Sequence, residues 1–434
     1  MGDVLLDCRC MSGNSHIDKS FTGAYGVYSV LFKLSIISLF LTPALKLFGS
    51  LPALRLDDLL ILLAVLYVIC SVCLGCRVVL VWGWRQTLLT GFSMIILISI
   101  LNGTVVGMGT HFGDLNKLIR LGKYLLFYTL TVSLIEISPN PEEEKTKILR
   151  LILVSSLLLV PLILQQYFNW FNLNDHYIKI VAPTQFHTLI DNYPRPRPVG
   201  MIGNPNELGF MYAMCSMISL YFVWKYLKFR YFVTLLVQIG TLLLTGSRSA
   251  LVALCCGVCF FILVPYIGQG YKVNKKRLSY LLVAISCVFI FLIVIHDKNV
   301  WRFFELADIK SSASWLVRLD VWNETFILFW QNPFLGVGPL SRSGLSYSVD
   351  NEWLFLLRSY GLIGTIYFAF IFLVPHFKNS RVGCKILRRL MSSLLVCTSV
   401  YMIPAFVFSS LELMPILLTF LACDDSGTKR IVFN

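Results

Sequence analysis

Charge is scarce in this chain: Lys, Arg, Asp and Glu supply 14% of its 434 residues, while 57% are hydrophobic. Soluble proteins average about 25% charged, so a water-soluble globular fold is excluded. Acidic residues are the rarer sign, 23 against 37 basic. The resulting formal charge of +14 does not indicate nucleic-acid binding, because no basic stretch is interleaved with polar, foldable sequence as such modules require. Histidine is also sparse. Of six, His111, His176, His187 and His296 fall on the side read below as outward, and no two have ligand spacing. No metal site and no cofactor are therefore expected. Internal repeats and low-complexity segments are missing as well, which excludes solenoids and linker-rich architectures.

What is present in abundance is long apolar runs. They are about 17 to 22 residues long, the length a helix needs to cross roughly 30 Å of hydrocarbon. Lipid offers no partner to open backbone groups, so these runs must be helical. Twelve spans are predicted, centred on residues 24–42, 57–76, 87–106, 118–137, 148–168, 207–225, 231–245, 249–266, 278–296, 353–374, 386–403 and 405–422. The chain reads as one all-α transmembrane domain over residues 1–434. Residues 1–20 are polar and carry no signal-peptide pattern.

Alternate connections are dense in Lys and Arg: Arg77 and Arg85; Lys145, Lys147 and Arg150; Lys225, Lys228 and Arg230; Lys272 to Arg277; Lys378 to Arg389. The positive-inside rule puts these, and both termini, in the cytoplasm. The two longest connections, about 169–206 and 297–352, then face outward and are the expected active site. None of the 13 cysteines lies in them, so no disulfide framework is expected. Cys70, Cys73 and Cys76 have metal-like spacing, but they end an apolar helix with no complementary cluster and read as small packing residues.

Four outward features carry candidate chemistry. Arg195 and Arg197 alternate with Pro196 and Pro198, which hold them extended, and Asn206 is a plausible N-cap for span six. A fixed guanidinium beside a helix N-terminus suits an anion such as phosphate; an ordinary basic interfacial loop is the plain alternative. Arg248 stands in the hinge Thr245-Gly246-Ser247-Arg248-Ser249, where it needs a carboxylate, a lipid phosphate or a water-filled cavity, or else snorkels to headgroups. Arg318 lies on a helix with an aromatic stripe at Trp315, Leu319, Trp322, Phe326 and Trp330. This helix is too polar to span and is expected along the membrane surface; Asp320 and Glu324 are placed to neutralise the arginine. Asp350 and Glu352 open span ten. Either is placed to take a proton from a sugar hydroxyl, and equally both serve as helix-capping acids. Multiple guanidiniums hold a diphosphate by paired hydrogen bonds without a metal.

These residues resemble the O-antigen polymerase and O-antigen ligase superfamily of bacterial surface-polysaccharide assembly. The likeness rests on Arg197 to Gly209, Thr245 to Ser249, Trp315 through Arg318 to Trp322, Asn332 to Gly338, and Asp350 to Trp353 followed by Gly361 to Gly364, in that order over residues 195–375. The resemblance implies a C-type membrane glycosyltransferase architecture in the bacterial inner membrane and metal-independent, inverting chemistry. Its donor would be a glycan on undecaprenyl pyrophosphate, held through Arg197, Arg248 and Arg318. Membrane lipids surround the protein, and a chain-length regulator and a flippase are expected partners. The ligase branch carries a histidine where this chain has Asp350, which favours polymerase. Ligase remains the second reading, and a flippase or transporter for the same lipid-linked unit is the alternative from another class.

Overall fold

The computed structural model describes residues 15–44, 54–74, 78–107, 112–182, 197–268, 313–339, 349–378, 385–425 and 429–433. They form an all-α, polytopic bundle, as expected. In chain order its helices are α1 (Ser15–Leu41), α2 (Leu56–Cys73), α3 (Trp84–Val105), α4 (Asn116–Ile137), α5 (Pro141–Phe168), α6 (Asn174–Val181), α7 (Pro205–Tyr226), α8 (Phe229–Leu244), α9 (Arg248–Gly268), α10 (Ala313–Gln331), α11 (Glu352–Lys378), α12 (Lys385–Tyr401) and α13 (Leu413–Asp424). Six of the described helices are long and apolar enough to cross a membrane. The predicted span 278–296 lies outside the described residues. A short antiparallel pair, β1 (Val78–Trp82) with β2 (Lys429–Phe433), joins Val78 to Phe433 and Trp82 to Lys429.

Helix α7 is the axis of the bundle, with 89% of its apolar window buried. It packs against α5, α8, α9 and α12. Its start is set by Asn204, whose side chain accepts from the Asn206 amide at 2.9 Å, and by Pro205 at the first helical position. Proline there costs nothing, since that N–H has no partner inside the helix. Asn206, read from the sequence as the cap, is therefore inside the first turn.

The last predicted span is corrected. Helix α13 begins at Leu413 and not near residue 405, and residues 402–412 form turns and irregular backbone between α12 and α13. Their apolar composition mimics a helix, while Pro404 and the acceptors described below hold them out of one.

Polar groups gather at both ends of the bundle. At one end, Arg85 grips Asp425 with two nitrogens, at 3.0 and 3.3 Å, and donates to the Ile371 carbonyl at 2.7 Å. At the other, Arg55 lies 2.9 Å from Asp57 and 2.5 Å from Glu412, while Lys123 reaches Asp57 and Asp58 at 2.6 Å. These buried pairs neutralise cations that would be prohibitive alone in a membrane.

Helix α11 is broken at Gly361, whose φ of 65° and ψ of −169° are non-helical. Residues 332–339 wedge into the break. Leu362 donates to the Pro333 carbonyl at 2.8 Å, and Val337 and Gly338 donate to the carbonyls of Arg358 and Ser359 at 3.0 Å. Helix α3 holds the wedge from outside: Asn102 donates to the Gly336 carbonyl at 2.6 Å and Ser99 to that of Leu335 at 2.8 Å.

Candidate active site

The segment Arg197 to Gly203 is built onto the ends of two helices. Gln166, at the end of α5, accepts from the amides of Val199 and Gly200 at 3.0 and 2.9 Å. Tyr177 of α6 donates to the Gly200 carbonyl at 3.2 Å, and burial pushes its phenol well above the usual range. With its backbone fixed, Arg197 donates from Nε to the Thr245 carbonyl at 2.8 Å and from a terminal nitrogen to Asn206 Oδ1 at 2.9 Å. One arginine thus ties the loop before α7 to the hinge before α9. The hinge itself lies against α7, because a Cβ on Gly209 would stand 2.6 Å from Ser247 Cβ. Arg248, half-buried, is the first residue of α9, three positions beyond the carbonyl that Arg197 holds.

Arg318 turns to Asp350 and not to Asp320 or Glu324, with Nε and Oδ2 3.5 Å apart. Both side chains keep solvent contact, at 29% and 46% exposure, and a pair so exposed adds only about 0.2–1 kcal/mol to stability. On the same helix Val321, Thr325 and Phe329 face the protein, while Leu319, Phe326 and Trp330 of the aromatic stripe are exposed. Arg195 lies outside the described residues.

Glu352, two residues from Asp350, has a different environment. It is fully buried. One carboxylate oxygen accepts from the amides of Val407 and Phe408 at 2.5 and 2.8 Å, and the other from the amide and hydroxyl of Ser409 at 3.1 and 3.3 Å. Four donors occupy it, and together they satisfy the irregular 402–412 backbone. Glu352→Gln would put amide hydrogens against amide hydrogens. The expected cost is roughly 3 kcal/mol, read as a lower unfolding temperature of the detergent-solubilised protein.

The separate segments converge on Tyr401 at the end of α12. Its ring stacks on Phe210 at 4.0 Å between centroids. Its buried hydroxyl has no hydrogen-bond partner among the described residues and lies within electrostatic reach of Glu207, Arg197, Glu352 and Arg318. Arg197 and Arg318, from segments far apart in sequence, thus both lie within electrostatic reach of one hydroxyl, with Asp350 beside Arg318 and the Arg248 hinge bound to Arg197.

Several polar residues at this end were not singled out from the sequence. Glu207 receives the Ser410 hydroxyl at 2.6 Å, and the same hydroxyl lies 3.1 Å from Glu412. Lys117 and Arg120 of α4 hold the Ser409 hydroxyl and carbonyl at 2.9 and 2.7 Å. Their signal was available: Lys117, Arg120 and Lys123 recur every three residues on the first turns of an otherwise apolar span. Beside the irregular segment, Trp353, Phe368, Met402, Val407, Phe408 and Met414 line a small apolar groove of about 90 Å³.

Among curated proteins the chain finds no significant match. A family model described as O-antigen ligase matches residues 233–369. That range takes in the Thr245 to Ser249 hinge, Arg318, the wedge, Asp350, Glu352 and the Gly361 break, while Arg197 lies before it and is bonded to it through Thr245. Over residues 233–369, which hold most of the outward candidate residues, this chain is therefore similar to the O-antigen ligase family.

Proposed function

We propose that this protein is an inverting glycosyltransferase that polymerises polyprenyl-diphosphate-linked repeat units into O-antigen or a related surface polysaccharide. Its site would lie at the outer face of the bacterial inner membrane, with both termini cytoplasmic. The family match and the apolar helices support an enzyme of O-antigen assembly acting on lipid-linked glycan in a membrane. The observation that carries the reading is that Arg197 and Arg318, from separate segments, both lie within electrostatic reach of the Tyr401 hydroxyl, at the bundle end where Arg248 begins α9. Guanidiniums from separate segments suit a leaving diphosphate, whose charge grows as the glycosidic bond breaks.

In this reading an acceptor hydroxyl attacks the anomeric carbon from the face opposite the diphosphate. A new C–O bond forms, and the old C–O electron pair departs on the diphosphate. The hydroxyl proton passes to Asp350, the exposed carboxylate beside Arg318. Glu352, with both oxygens occupied, holds the 402–412 backbone and leaves the proton to its neighbour.

Asp350 at the position where ligases carry histidine favours polymerase over ligase. Disrupting the gene tests the choice: loss of a polymerase leaves single repeat units on the lipid A core, whereas a bare core identifies a ligase. A transporter is separated by purified protein with lipid-linked repeat units, from which only an enzyme makes longer glycan.

A further inference from the structure

A second cationic cluster lies at the same end of the bundle, beside Ser409 and Glu352. Lys117 Nζ stands 4.7 Å from the centre of the Phe355 ring, and the Arg358 guanidinium carbon 5.4 Å from the same centre. Arg120 is within electrostatic reach of Lys117, as are the carboxylates of Glu352 and Asp114. Glu207 is within reach of Arg120 as well, but it already takes the Ser410 hydroxyl, and Glu352 is saturated by backbone and hydroxyl donors. The cations are anchored to the protein by hydrogen bonds: Lys117 and Arg120 to Ser409, and Arg358 to the Pro339 carbonyl at 3.0 Å.

Part of their hydrogen-bonding capacity is unmet. Arg120 Nε, Arg358 Nε and the Tyr360 hydroxyl are buried without a partner among the described residues. The Tyr360 hydroxyl lies within reach of Arg358 and Arg120, and both Arg358 and Tyr360 are more than nine-tenths buried. Buried polar groups in folded proteins are nearly always satisfied, and exceptions call for a missing partner. Here the nitrogens are obligate donors and the phenol is a donor too. The partner must be an acceptor, and charged donors on three neighbouring cations suit an anionic one.

We propose that Lys117, Arg120, Arg358 and Tyr360 bind the diphosphate of a second polyprenyl-linked substrate, the acceptor, while the Arg197, Arg248 and Arg318 group binds that of the donor. The identity of the ligand rests on the polymerase reading above: a polymerase joins two lipid-linked glycans and must hold two diphosphates at once. Glu352 lies in the electrostatic neighbourhood of both groups, so the residue that shapes the 402–412 segment adjoins both.

The test counts binding equivalents of radiolabelled farnesyl diphosphate on the purified full chain in detergent. Wild type is expected to bind two per chain, and both Lys117→Gln/Arg120→Gln and Arg197→Ala one. Tyr360→Phe should keep two but weaken one by about tenfold, the loss of a hydrogen bond to a charged group. Its unfolding temperature should not move, because that hydroxyl has no protein partner to lose. A fall in that temperature without a change in binding would make Tyr360 merely structural and overturn its assignment. Competition by inorganic pyrophosphate for both equivalents supports recognition of the diphosphate itself. Displacement of the second equivalent by phosphatidylglycerol assigns the cluster to phospholipid headgroups and overturns the proposal. One equivalent in wild type, or two in the Lys117/Arg120 variant, also overturns it while leaving the donor site standing. No binding at all overturns both the inference and the donor-site reading.

Discussion

Arg197→Ala, Arg248→Ala and Arg318→Ala are each expected to abolish the proposed chain elongation while the protein still inserts in the membrane. The expected fall is at least about 100-fold, the usual effect of removing one donor that stabilises developing charge in a transition state. Loss of fold is not the cause. Arg318 is bound through a partly exposed pair to Asp350, and Arg197 sits on a loop that Gln166 and Tyr177 hold independently. Arg197→Lys should rescue little. The native side chain reaches Thr245 and Asn206 from two nitrogens of one planar group, and a single ammonium on a flexible stem cannot reproduce that fork. The readout is the glycan ladder from membranes carrying equal amounts of each variant. Full-length ladders from all three alanine variants would remove the diphosphate assignment.

Gly361→Ala is expected to be at least as damaging, and for a different reason. At φ 65° and ψ −169° this residue occupies a region essentially confined to glycine. A Cβ there would also stand 2.2 Å from the Phe334 carbonyl oxygen. That neighbour is backbone and cannot swing away. Gly336 faces the same wedge from the other side, with φ 70° and a Cβ position 2.4 Å from the Ser359 carbonyl. Relieving either clash expels the 332–339 wedge, which carries the hydrogen bonds to Arg358 and Ser359 and the contact with α3. The expected result is a large drop in folded protein recovered by size-exclusion chromatography in detergent, with activity lost in proportion. Gly122→Ala is the control, since nothing lies within 4 Å of a Cβ built there.

Much of this architecture is legible in the sequence. Spans as long as α5 and α7 announce themselves by length and by hydropathy. The hinge at Thr245 to Ser249 and the pair of glycine clusters stand out because a polar or helix-breaking residue costs free energy inside an apolar run. Such residues persist there only where a site or a bend requires them. What the sequence hides depends on partners distant in the chain. The 402–412 segment is apolar enough to pass for helix, and only the Glu352 carboxylate, some fifty residues earlier, shows why its amides do without one. Asn206 looks like a cap because any Asn near a helix start does, yet Asn204 with Pro205 takes that place and frees Asn206 for Arg197. Lys117 and Arg120 are masked by the charge count itself. Tallying cations per connection reports topology, and a cation spent on a site looks there like an exception to the rule.

The clasp between β1 and β2 constrains how the chain can assemble. Residues 78–82 find their strand partner, and Arg85 its carboxylate on Asp425, only after some 340 further residues have been made. Nascent chains acquire structure from the N-terminal end, so α3 must wait in the bilayer with a buried guanidinium still uncompensated. A ribosome stalling before Asp425 would leave that charge stranded, a state quality-control proteases can recognise.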